Sequence, residues 1–305
     1  MADLTTGTRH EHPAPYDQTA PHDHAAPGAP PVSARTAHVV LIGAPSPLRA
    51  AAARQLRASN ALLACLDTPA DLLPALTSPA ISARNGLSGA TLVFVTVPRT
   101  PGLTTRLRHK FRAAALTVGM DQAVATAHGH GASRVIALST VFCYGGEGGP
   151  ETARSAAAEH AARLFTGLGG DSVVLRLGWT CGPEEPITRR VLSAARLGWR
   201  LIDGDPAAWV AMISEADAAS AVLPALTVPP GIYNVTDGAP ITQDMLNTTL
   251  ETTLGQPLHS LHEPGWGRDG TLFGFSRRIA DARFGDLTGW RPRVAPVAEN
   301  LADLL

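Results

Sequence analysis

His38-Val39-Val40-Leu41-Ile42-Gly43-Ala44-Pro45-Ser46-Pro47-Leu48-Arg49 is the stretch that decides the fold. Its first six residues are an apolar, β-branched run ending on glycine, the pattern of a strand buried on both faces in a parallel sheet. The residues from Leu48 to Leu56 are strong helix formers, and Pro47 suits a first helical turn, where a missing N–H is tolerated. A second apolar strand, Ala61-Leu62-Leu63-Ala64-Cys65-Leu66, ends in Asp67, 24 positions after Gly43. Strand, helix, strand and terminal acid make a βαβ unit of the dimensions used to hold a dinucleotide.

The same alternation continues outward. Strands are predicted at Thr91–Val97, Arg134–Ser139 and Ser172–Leu177, with helical patterns between them, which argues for a parallel sheet covered on both faces. Residues 71–89 are short and rich in Ser, Asn, Gly and Pro, so the strand that should follow Asp67 is expected to be missing or very brief, weakening the adenine side of any dinucleotide pocket. The expected fold class is α/β, a Rossmann-like doubly wound parallel sheet over residues 36–178, with a smaller substrate-binding region over 179–305 packed on it. Residues 1–35 carry six prolines and no apolar periodicity, and read as a disordered tail. His10-Glu11-His12 and His22-Asp23-His24 within it offer imidazole and carboxylate to a divalent ion, or are simply solvated.

Composition excludes several functions. The 305 residues are 45% hydrophobic and carry 25 basic against 26 acidic side chains, so no overall field recruits nucleic acid or an anionic membrane. Cys65, Cys143 and Cys181 are odd in number and far apart, which suggests reduced thiols rather than a disulfide framework or zinc site. No run of about 18 apolar residues and no signal-peptide pattern is present, and a cytoplasmic location is expected. Of the 25 basic residues, 24 are arginine, and Lys110 is the only lysine.

Further landmarks occur in order: Ser139-Thr140-Val141-Phe142-Cys143-Tyr144-Gly145, Leu175-Arg176-Leu177, Cys181-Gly182-Pro183, Ile213-Ser214-Glu215-Ala216-Asp217, Gly231-Ile232-Tyr233-Asn234-Val235 and Leu287-Thr288-Gly289-Trp290-Arg291-Pro292. Together with the opening βαβ unit they make the chain similar to the NAD-dependent epimerase/dehydratase group of extended short-chain dehydrogenases/reductases, from His38 to Leu305. The resemblance implies NAD as cofactor, a small-molecule substrate, and admits a homodimer built on two helices of the first domain.

Residue by residue, the family pattern then fails. Its Gly-x-x-Gly-x-x-Gly phosphate loop corresponds here to Gly43, Ser46 and Arg49. Ser46 is read as a phosphate hydrogen-bond donor and Arg49 as a phosphate-pairing cation, or alternatively as a side chain that blocks the site. Asp67 is placed to accept from the adenosine ribose hydroxyls, favouring NAD over NADP, or else to cap a helix. The family's proton relay, a tyrosine followed four residues later by lysine, falls on Glu151 and Ser155, counted back from a landmark glutamate at Glu159. No register restores it, because the tyrosines are Tyr16, Tyr144 and Tyr233. Thr140, with Ser139 beside it, matches the family's substrate-orienting hydroxyl. Glu151 as acid or base, Arg154 as oxyanion stabiliser and Tyr144 are the replacement candidates; Pro150-Glu151-Thr152 as an ordinary helix start, and a structural Tyr144, are the alternatives.

Downstream, Trp179, Trp199, Trp209 and Trp266 are candidates to line a small-molecule site or to fill the core. Arg277 and Arg278 fall where related proteins contact an anionic substrate group, or form a solvated turn. His259 and His262 are expected in extended or loop structure rather than as a metal pair. Three functions stay open: a tailoring reductase, epimerase or dehydratase with NAD; a non-redox cyclase, isomerase or lyase; and a noncatalytic NAD(P)- or metabolite-binding regulator.

Overall fold

A computed structural model describes residues 37–77, 81, 86–96, 103–144, 152–202, 204–260, 273 and 276–304. The proline-rich tail, Glu151, His262 and Trp266 lie outside them.

The apolar runs become the strands β1 (His38–Ile42), β2 (Leu62–Leu66), β3 (Thr91–Val95), β4 (Arg134–Thr140) and β5 (Asp171–Leu177). A sixth, β6 (Gly231–Val235), returns from far along the chain to pair with β5. The sheet order is β2-β1-β3-β4-β5-β6, every pair parallel. Among the described residues no strand follows β2 on its outer side, as expected from the turn-rich stretch after Asp67.

Parallel strands need crossovers, and helices supply them. Helix α1 (Pro47–Ala58) has Ser46 at its N-cap and Pro47 in its first turn. Helices α2 (Leu103–Gly129), which contains Lys110, and α3 (Ala153–Gly167) connect β3 to β4 and β4 to β5. The continuous apolar runs serve two faces at once. Val39, Leu41, Val93, Ile136, Leu138, Val173 and Leu175 pack with Leu48, Ala52 and Leu56 of α1 on one side. Val40, Ile42, Leu92, Phe94, Val135 and Ala137 pack with Val124 of α2 and Ala158, Ala161 and Phe165 of α3 on the other. Every strand residue named here is essentially excluded from water, at roughly 1.5–3 kcal/mol of favourable transfer for each large side chain.

A third apolar cluster lies after β5. Phe142, Trp179, Ile187, Val191, Leu192, Leu201, Val210, Met212, Leu246 and Phe273 pack together there. They come from the short strands Trp179–Cys181 and Met212–Ser214, which pair in parallel, and from helices α4 (Pro186–Arg196) and α6 (Gln243–Leu254), with α5 (Glu215–Ser220) between them in the chain. His259 lies in a two-residue extended segment beside Trp199, as its proline- and glycine-rich surroundings predict. Among the described residues no helix is long and apolar enough to cross a membrane.

Candidate functional site

In an open parallel sheet the ligand crevice lies beyond the carboxyl ends of the strands. Here those ends carry Gly43, Asp67, Thr96, Thr140 and Thr236, so the site is read one strand at a time.

The turn after β1 is built tightly. A Cβ on Gly43 would lie 2.4 Å from the Val95 carbonyl oxygen at the end of β3, so only glycine fits. Beyond it the helix start is already satisfied from within. Pro47 has no N–H to offer, the Arg49 amide donates to Ser46 Oγ at 3.2 Å, and the Ala50 amide donates to the Ser46 carbonyl at 2.9 Å. Leu48 is the one residue of the first helical turn whose amide is left for a phosphate oxygen. Ser46 therefore serves as an N-cap, and Arg49, where the loop pattern wants its third glycine, reaches across to Asp67 with Nη1 at 2.7 Å from Oδ1. The Arg49 side chain is 11% exposed and that of Asp67 64% exposed, so the pair is worth little in energy. Asp67 does not cap a helix; Thr68 and Asp71 form the capping box there instead.

At the end of β3 the Thr96 hydroxyl donates to the Leu138 carbonyl, so the Ser155 hydroxyl is left to donate to Thr96 Oγ1 at 2.9 Å. Both residues are buried. Ser155, which occupies the relay lysine's position, is thus directed into the protein and not toward a cofactor. With α1 self-capped, Arg49 on Asp67 and Ser155 turned inward, the described residues do not fit a dinucleotide held in the manner usual for such a sheet.

The last three strands of the sheet, β4, β5 and the edge strand β6, carry a polar seam. Register places Ser139 beside Arg176 and Arg176 beside Asn234, a row across β4, β5 and β6. Glu159 of α3 lies over it, accepting from Ser139 Oγ at 2.6 Å and from Arg176 Nε and Nη2 at 2.9 and 2.7 Å. Burial alone would lower the Arg176 pKa, but the hydrogen bonds and charge of Glu159 outweigh it and hold the guanidinium above its ordinary range. Tyr144 closes the seam from outside: its hydroxyl donates to Asn234 Oδ1 at 2.9 Å, and its ring lies 4.4 Å from the Arg176 guanidinium carbon. Cys143 Sγ lies 3.7 Å from Ser139 Oγ; burial, then the Glu159 charge, push its thiol up, away from nucleophilic use.

Thr140 is buried next to this seam and accepts from the Phe142 amide at 3.3 Å. The turn it caps opens onto a small recess, with enclosed room for about one water, lined by Val141, Phe142, Trp209, Val210, Ala211, Phe273 and Arg277. Arg277 is 6% exposed, its guanidinium carbon 5.2 Å from the centre of the Phe142 ring. Burial pulls its pKa down to about 10. Arg278 lies over Trp209 at 4.9 Å. Trp209 and Arg277 are therefore brought together, while Thr140 is buried behind the turn that carries Val141 and Phe142. Trp179 is a core residue, 3% exposed, whose ring meets the edge of Phe273 behind the recess wall. Arg154 is on the exposed face of α3. Phe142, Ala211 and Phe273 were not among the sequence candidates; only their apolar character marked them, and that is shared with the core. Among the described residues no group of three or more His, Cys, Asp or Glu side chains is arranged to hold a metal ion.

No family model and no curated protein sequence matches the chain. Solved structures do. The UDP-glucose 4-epimerase of Thermotoga maritima, with UDP-glucose, superposes with a TM-score of 0.68 at 15% identity over 87% of this chain and 96% of its own. Its fold is that of the NAD-dependent epimerases and dehydratases. A dTDP-glucose 4,6-dehydratase from Streptomyces venezuelae, solved with NAD as a double mutant, gives a TM-score of 0.63 at 20% identity over 87% of this chain and 94% of its own. RMD from Pseudomonas aeruginosa, complexed with NADPH, gives 0.63 at 19% identity over 88% and 97%. The scaffold expected from the ordered landmarks is thus present in this chain.

Proposed function

We propose that this chain is a small-molecule enzyme that uses the epimerase/dehydratase scaffold for non-redox chemistry, binding an anionic ligand of nucleoside-diphosphate type across the open mouth of the recess beside Arg277. The observation that carries this reading is Arg277 itself: a buried guanidinium on the face of Phe142, in a recess walled by Trp209 and Phe273. A guanidinium forks onto two phosphate oxygens where an ammonium cannot. Aromatic walls suit a base or sugar ring. Support comes from the structural neighbours solved with UDP-glucose and UDP-glucuronic acid. Thr140 would position the turn that opens onto the recess, and Glu151, which the resemblance puts at the relay tyrosine's position, would exchange the proton. Tyr144 has the anchoring role.

Calorimetric titration of UDP and UDP-glucose into the full chain tests the ligand class. Arg277→Met is expected to weaken binding at least about tenfold, and Arg277→Lys to recover only part of it, because lysine restores charge without the fork. Equal affinity in wild type and Arg277→Met, with both proteins showing the same circular dichroism, would remove Arg277 from the site.

A further inference from the structure

We propose that the Arg49–Asp67 ion pair is a built-in occupant of the dinucleotide crevice, and that it keeps NAD and NADP out. Two features meet at this place, the capped start of α1 and the ion pair itself. The fold's pyrophosphate seat is the N-terminus of α1, where bound phosphate is held by backbone N–H groups at a loop lean enough for close approach. Here Pro47 lacks that hydrogen and Ser46 Oγ takes the amide of Arg49, so that Leu48 is the one first-turn residue with an amide to offer a phosphate. The ribose seat is the acid at the end of β2, and Asp67 Oδ1 already accepts from Arg49 Nη1 at 2.7 Å. The line between the two seats is the path of the cofactor's adenosine half. Along it lies the Arg49 side chain, only 11% exposed.

The alternative use of the same residue is as a cation for the pyrophosphate. That use requires the guanidinium to leave Asp67 and the side chain to swing away from the space between β1 and β2. A 2′-phosphate in place of the ribose hydroxyl would gain Arg49 but meet the Asp67 carboxylate, so NADP fares no better than NAD. This inference stands apart from the substrate reading: Arg277 lies in the other lobe of the site, and either can fail alone.

The test is calorimetric titration of NAD, NADH, NADP and NADPH into the full chain and into Arg49→Ala, which keeps a good helix former at that position. Wild type is expected to show no saturable binding below about 1 mM, and Arg49→Ala to bind NAD or NADH at least about tenfold more tightly than wild type. Asp67→Asn, which releases the guanidinium without shortening it, is expected to relax the exclusion less than Arg49→Ala does, because the side chain is no longer held across the crevice while its bulk remains. Wild-type binding below 1 mM that Arg49→Ala weakens would overturn the proposal and make Arg49 a phosphate ligand. Silence from both wild type and Arg49→Ala would overturn it as well, since something other than the ion pair would then be excluding the cofactor.

Discussion

Glu159→Leu is expected to lower the free energy of unfolding by about 3 kcal/mol, the largest single effect anticipated in this chain. Its carboxylate receives three hydrogen bonds from two strands, one from Ser139 and two from Arg176. Removing it leaves the Arg176 guanidinium beneath Tyr144 with its bidentate partner gone. The Glu159 side chain is 5% exposed and that of Arg176 17%, so some water reaches the cation and the loss falls at the lower end of what buried pairs give. Glu159→Gln keeps one acceptor and is expected to lose less. Urea unfolding with an unchanged m-value measures both. A loss under about 1 kcal/mol for Glu159→Leu would mean that the seam behaves like an ordinary exposed ion pair.

Gly43→Ala should cost about 2–3 kcal/mol for a different reason, overpacking against atoms that cannot move aside. The new methyl would lie 2.4 Å from the Val95 carbonyl oxygen and 3.2 Å from the Val95 Cβ. Val95 ends a central strand paired on both sides, so either α1 must back away or β1 must slide against β3. The Gly43 amide also donates to the Leu66 carbonyl, prolonging the β1–β2 ladder, and a shift would strain that bond. The same denaturant titration reads the effect. Tolerance of alanine within about 0.5 kcal/mol, the range of an ordinary surface change, would show the turn to be looser than this geometry. The result matters for function because it separates two uses of one residue: Gly43 is fixed here by packing, with no nucleotide needed to explain it.

Much of the fold was legible in the sequence, because strands of a parallel sheet buried on both faces are continuous apolar runs that need no partner to be recognised. His38–Ile42, Leu62–Leu66, Thr91–Val95, Arg134–Thr140 and Asp171–Leu177 all fall within a residue or two of the runs that announced them. That β2 is the sheet edge among the described residues agrees with the stretch of turn formers after Asp67. The place of Gly231–Val235 in the sheet was not. Its pairing with β5 joins residues more than fifty positions apart, and no local pattern encodes a non-local neighbour.

The site divides the same way. Arg49 and Asp67 were both noticed for their positions against a glycine-loop pattern, yet that they bind each other depends on how far a side chain reaches across the gap between α1 and β2. Glu159 was recognised as a landmark without its partners, because Ser139 and Arg176 become neighbours only through the β4–β5 register. Trp179 and Trp209 looked alike in sequence; burial makes one a core residue and the other a wall of the recess. Each of these distinctions is made by tertiary distance, which composition and spacing do not carry.

The central claim is that the ligand side of the crevice is kept while the cofactor side is filled by the protein itself. The measurement that bears on it most directly is a crystal structure of the full chain soaked with UDP-glucose. The account predicts the diphosphate within hydrogen-bond reach of Arg277 and a ring against Trp209, with the Arg49–Asp67 pair undisturbed. A diphosphate seated at the start of α1, with Arg49 swung away from Asp67 to hold it, would contradict the account.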